Sequence, residues 1–153
     1  MNPKQFEGQC QCAEVQYRVT GIPITVFACH CHDCQRQSSS AFGMALWLKE
    51  ARVDLLHGEL KKWIRHTPLG KEMECSFCPA CGTRLFHKIL GQSEILSIKP
   101  GTLNDTSWLK PAGHLWTKSA QSWVHLDEDV LHYEGNPDSF SELISAWMKE
   151  NHA

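Results

Sequence analysis

Bulk charge of either sign is missing from this 153-residue chain: fifteen lysines and arginines stand against seventeen aspartates and glutamates, a formal net charge of −2. The basic residues are scattered, so there is no footprint for nucleic acid or an anionic membrane surface. No apolar run approaches the roughly 20 residues that cross a bilayer, and a soluble protein is expected. Residues 1–8 hold no basic start followed by an apolar stretch, so the expected address is the cytoplasm. Internal repeats, low-complexity tracts and Ser/Gly linkers are absent too. We therefore expect one domain over 1–153, long enough to bury a core without a metal to hold it together.

What the chain does have is cysteine. Its eight cysteines fall into three clusters: Cys10-Gln-Cys12, Cys29-His-Cys31-His-Asp-Cys34 and Cys75-Ser-Phe-Cys78-Pro-Ala-Cys81. An even count admits a disulfide framework. The expected compartment argues against one, because cytosolic thiols are kept reduced. Geometry argues against it as well: Cys10 and Cys12, or Cys29 and Cys31, lie on the same side of an extended chain, where bridging them would strain the bond. Thiolates one or two residues apart can converge on one ion, and the pattern points to zinc.

A structural zinc takes four ligands in a closed tetrahedron, usually two pairs from distant parts of the chain. Cys10 with Cys12, and Cys78 with Cys81, meet that description. In Cys78-Pro-Ala-Cys81-Gly82-Thr83, Gly82 lets the backbone turn amide groups toward the sulfurs. The rival is a redox-active CxxC, which needs a thioredoxin-like βαβ context that the sequence does not show.

Cys29, Cys31 and Cys34 offer three thiolates and no obvious fourth cysteine. Three protein ligands with one position left over is the arrangement of a catalytic zinc. Closure by His30, His32 or Cys75 would instead make a second structural site. An open site could hold an incoming thiol as its thiolate, and the natural cytosolic candidate is glutathione. An iron–sulfur run starting at Cys75, Cys78 and Cys81 fails at its next position, which is Leu85.

The readable segments are mostly short and β-like, at 15–19, 24–28, 42–48, 53–56, 60–65, 85–88, 95–99, 114–117 and 130–133, punctuated by glycine and proline. The pattern predicts a mainly antiparallel β protein. Only the C-terminus predicts a helix. Ser139 and Glu142 form a capping-box pattern, and Phe140, Leu143, Ile144, Trp147 and Met148 fall on one face.

Taken together, Gly8-Gln-Cys10-Gln-Cys12, Phe27-Ala-Cys29-His-Cys31-His-Asp-Cys34-Gln-Arg36, Phe77-Cys78-Pro-Ala-Cys81-Gly82-Thr83 and Ile98-Lys-Pro-Gly101-Thr102 resemble the glutathione-dependent formaldehyde-activating enzyme family. The likeness extends through His114-Leu-Trp116 and Trp123, from Gly8 to about position 137. It implies a Mss4-like fold of antiparallel β-sheets around zinc-binding cysteine clusters, with two zincs per chain. A structural zinc would sit on Cys10, Cys12, Cys78 and Cys81, and a catalytic one on Cys29, Cys31 and Cys34. The implied activity is a carbon–sulfur lyase joining formaldehyde to glutathione, giving S-hydroxymethylglutathione.

The chain departs from the family where an arginine and, a few residues on, a glycine often follow the third cysteine: it has Gln35 and Ser39. Gln35 would be an uncharged substitute for an arginine holding a substrate carboxylate. Cys75 is extra: it reads as a buried small hydrophobe ahead of a reactive thiol or an adventitious fourth ligand. Of the nine histidines, His30 and His32 carry most weight because they sit between candidate ligands, and His114 with Trp116 could line a pocket. The alternative to an enzyme is a non-catalytic, zinc-stabilised module that binds a protein partner.

Overall fold

The computed structural model describes residues 1–92 and 94–152. In chain order the strands are β1 (Lys4–Gln9), β2 (Gln16–Cys29), β3 (Gly43–His57), β4 (Lys61–His66), β5 (Glu72–Phe77), β6 (Arg84–Ile89), β7 (Ile95–Ile98), β8 (Gly113–Leu115) and β9 (Leu131–His132). Helix α1 (His32–Ser38) follows β2, and α2 (Ser141–His152) closes the chain. The protein is mainly β, as the sequence predicts. Strands pair in the order β4-β5-β6-β7-β3-β2-β8-β9, with β1 on β2.

The sheet is mixed rather than purely antiparallel: β8 runs parallel to both β2 and β9. These two strands are three and two residues long and are reached through irregular connections, so no hairpin signal or alternation marks their direction. Segments 15–19 and 24–28 are one strand, β2, and 42–48 and 53–56 are one strand, β3. β1, β5 and α1 were not anticipated. β1 is mostly exposed and polar, and α1 buries no residue, so neither carries a hydrophobic period.

The chain groups into two compact units: Met1–Pro23 with Trp47–Trp108, and Ile24–Leu46 with the chain from Leu109 onward. In the first, β1 lies antiparallel on the start of β2, from Lys4↔Gly21 to Gln9↔Gln16. β4 to β7 form an antiparallel meander. Val15, Tyr17, Val19, Leu85, Phe86 and Ile98 fill its core. The Tyr17 ring packs edge-on against Phe86 at 4.8 Å, and its hydroxyl bonds Thr102 Oγ1 at 2.8 Å. Gly8, paired with Tyr17, lies so close beneath that ring that any side chain would collide with it. Two turns project from this unit with cysteines: β1 to β2 carries Cys10 and Cys12, and β5 to β6 carries Cys78 and Cys81.

In the second unit the end of β2 pairs with β8 through Ala28↔His114 and Cys29↔Leu115. α2 buries Leu143 and Trp147, while the Phe140 ring packs at a tilt against Phe27, 5.8 Å between centroids, so the predicted apolar stripe is core. The capping box does not form. Ser139 Oγ accepts from the Ser141 amide at 3.2 Å, and the Glu142 carboxylate accepts from the Tyr133 hydroxyl instead of reaching back. A tertiary partner has displaced the local one.

Candidate metal centres

The sulfurs of Cys10, Cys12, Cys78 and Cys81 all lie within 4.8 Å of one another. Cys10 and Cys12 are 3.6 Å apart, and Cys12 and Cys78 are 3.9 Å apart. A zinc–sulfur bond of about 2.3 Å in a tetrahedron sets an edge of about 3.8 Å, so these four thiols fit a zinc ion. Protein donors face them as thiolates require. The Val15 amide donates to Cys10 Sγ at 3.2 Å, the Cys81 amide to Cys78 Sγ at 3.5 Å, and the Thr83 hydroxyl lies 3.2 Å from Cys81 Sγ. Because the Gln11 amide donates to Thr83 Oγ1 at 3.2 Å, that hydroxyl is left to donate to sulfur. Thr83 accordingly holds the Cys81 thiol down at about 5. Gly82, at φ +78°, makes the turn and donates to the Cys78 carbonyl at 2.9 Å.

The second set is Cys29, Cys31 and Cys34, whose sulfurs also lie within 4.8 Å of one another and are all half-buried. Cys29 ends β2. Cys31 is the N-cap of α1, and its sulfur accepts from the Cys34 amide at 3.3 Å. Crowding by the Cys31 and Cys34 sulfurs, more than burial, pushes the Cys29 thiol far above its ordinary range, the behaviour of a set that a cation relieves. The donor chemistry fits zinc. Among the described residues no histidine, carboxylate or further cysteine joins these three sulfurs.

The sequence candidates for a fourth ligand are each placed elsewhere. His30 is fully buried, with Nε2 2.9 Å from His114 Nδ1 and its ring 5.3 Å from Phe42. His32 is exposed on α1. Cys75 is fully buried in β5, between Trp63 and His87 in register, and burial raises its thiol; it behaves as a small hydrophobe. Burial, then the neighbouring His30 and His132, holds His114 down at about 4, a neutral imidazole. Trp116 does not extend β8: it adopts φ 57° and caps a 3-10 turn.

His32, Gln35, Arg36 and Ser39 fall at helical spacing and, with Ser40, Ala41, Gln121 and Trp123, line an open cleft of about 550 Å³. Gln35 does not offer a free amide to it. Its Nε2 donates to the carbonyls of His30 at 2.9 Å and Ser119 at 3.0 Å, so both amide hydrogens are committed to the main chain. Ser39 sits at the end of α1 with φ 52° and ψ 37°, the left-handed conformation that favours glycine. Gln121 was missed in the sequence because a lone glutamine in an irregular segment carries no pattern.

Residues 5–119 match the family model described as glutathione-dependent formaldehyde-activating enzyme. No curated protein matches the chain. Among solved structures, a crystal structure of a Rhodobacter sphaeroides protein is similar at 19% identity and a TM-score of 0.47, over 69% of this chain and 91% of that one.

Proposed function

Because the chain belongs to the glutathione-dependent formaldehyde-activating enzyme family, we propose that it is a zinc-dependent carbon–sulfur lyase acting on glutathione or a related thiol adduct. The reaction we assign is addition of the thiol sulfur to the carbonyl carbon of formaldehyde, giving S-hydroxymethylglutathione. The S–C bond forms, the C=O π pair moves to oxygen, and the thiol proton ends on that oxygen; the reverse step restores both reactants.

The observation that carries this reading is the contrast between the two thiol sets: four sulfurs gather in one, and three in the other with no fourth protein ligand among the described residues. A closed set serves stability, whereas a three-ligand set leaves room for a reactant. Zinc held by Cys29, Cys31 and Cys34 would supply a Lewis-acidic position able to favour a bound thiol as thiolate. The chain's own contribution is to hold the ligands. The N-cap bond at Cys31 fixes one sulfur, and the end of β2 fixes Cys29, through its pairing with Leu115. The absence of His32 and Cys75 from the three-sulfur set favours the enzyme over a closed, inert interaction module.

The test is exchange of ¹³C-formaldehyde with glutathione, followed by NMR with the zinc-loaded chain. The parent chain is expected to accelerate exchange over the uncatalysed mixture, and Cys31→Ser to return it to that background with the fold intact. Exchange equally fast in Cys31→Ser would reject the assignment.

A further inference from the structure

We propose that Gln35 is a positioning residue that locks the Cys29–His30–Cys31 loop, and through Gln121 the Trp123 wall of the α1 cleft, into one hydrogen-bonded unit. The inference rests on reading the three thiols as a metal site.

His30 stands between two of those thiols, and three of its polar groups are held. Its amide donates to the Leu115 carbonyl at 2.9 Å, its ring Nε2 meets His114 Nδ1 at 2.9 Å, and its carbonyl accepts from Gln35 Nε2 at 2.9 Å. The second Gln35 hydrogen reaches the Ser119 carbonyl at 3.0 Å. The loop between Cys29 and Cys31 is thereby clamped from β8 on one side and from α1 on the other. The relay then runs outward. Gln35 Oε1 accepts from Gln121 Nε2 at 3.1 Å, and Gln121 Oε1 accepts from the Trp123 indole N–H at 2.7 Å. Trp123 is 75% exposed, so this hydrogen bond, not packing, orients its ring.

All the donors point the same way, from Trp123 through Gln121 and Gln35 to two main-chain carbonyls. The inner end therefore requires a side chain at position 35 that donates twice and carries no negative charge. Glutamate is the same size but would set a carboxylate against two carbonyl oxygens. Arginine, with five donors, keeps the two inner bonds and loses only the acceptor for Gln121. Outer partners that orient metal ligands typically change metal affinity 10–100-fold when replaced.

The experiment loads the full-length parent chain, Gln35→Glu, Gln35→Arg and Trp123→Phe with zinc, then counts zinc per chain by native mass spectrometry during titration with a chelator. Parallel cobalt(II) loading reports the thiolate-to-metal absorption of each site. The parent is expected to hold two ions. Gln35→Glu should keep the first and release the second at about 10–100-fold lower chelator concentration. Gln35→Arg and Trp123→Phe should match the parent. Retention of the second ion in Gln35→Glu at parental affinity overturns the proposal, as does equal loss in Gln35→Arg or Trp123→Phe. Should Gln35→Glu not fold, Gln35→Met, neutral and without a donor, is judged by the same criteria. A parent chain that binds one zinc overturns the metal reading of the three thiols, an outcome distinct from failure of the Gln35 relay.

Discussion

The sulfurs of Cys12 and Cys78 stand 3.9 Å apart although 66 residues separate them in the chain. Two turns, each at the end of a different strand pair, meet at the spacing of a tetrahedral zinc edge. Closing so long a loop is costly in chain entropy, and a zinc ion held by these thiols would offset that cost.

Replacing Cys78, buried like Cys10, removes one candidate ligand and leaves the other three thiols crowded together. Cys78→Ser is expected to lose this zinc and at least about 4 kcal/mol of stability, a fall of about 10 °C in melting temperature for a chain of this size. Differential scanning calorimetry with metal analysis checks it; an unchanged melting temperature after loss of the ion would deny the site a structural role.

Ser39 holds a left-handed conformation at the end of α1 that costs an L-residue about 1 kcal/mol relative to glycine. Ser39→Gly should therefore stabilise the chain by roughly 0.5–1 kcal/mol, read from a urea midpoint at unchanged slope. A loss of stability would mean that the Ser39 side chain makes a compensating contact.

Trp147 is 2% exposed on α2, beside the fully buried Leu143. Trp147→Ala should cost about 3–5 kcal/mol, and a chain ending at Gly135 should be molten or insoluble. A truncated chain that melts cooperatively near the parental temperature would remove α2 from the core.

Burial first, then the cations Lys99, Arg84 and Arg65, holds His87 down at about 2, far below the 6.5 of an unfolded histidine. The unfolded chain therefore takes up a proton in acid that the folded chain refuses. The stability tied to neutral His87 is fully present above pH 6.5 and is lost as the pH falls toward 2, by about 1.4 kcal/mol per pH unit. Between pH 6 and 4 the parent should lose stability more steeply than His87→Gln by that increment, in chemical denaturation at each pH. Parallel slopes would show that His87 is protonated in the native state.

The candidate sites were legible in the sequence to an unusual degree because their signal is local. Thiols one to three residues apart announce a candidate metal site whatever the surrounding fold, and the structure gathers the same sets of four and three sulfurs that counting ligands gave. The β class was legible from alternation at 15–19 and the β-branched run at 24–28, both largely within β2, and α2 from its apolar stripe. α1 was not legible, since His32–Ser38 buries nothing and is held by the Cys31 cap and by Gln35. The parallel pairing of β8 was hidden for a similar reason: its three residues owe their place to β2 and β9, not to a period of their own. Gln35 was read as a weak substitute for a substrate-binding arginine, and only its two main-chain carbonyl partners give it a different part.

The most direct measurement is a native mass spectrum of the zinc-loaded chain with and without millimolar-order glutathione. The account predicts two zinc ions per chain and a glutathione adduct that disappears in Cys31→Ser while one zinc remains. One zinc in the parent, or two zincs with no adduct, would contradict it.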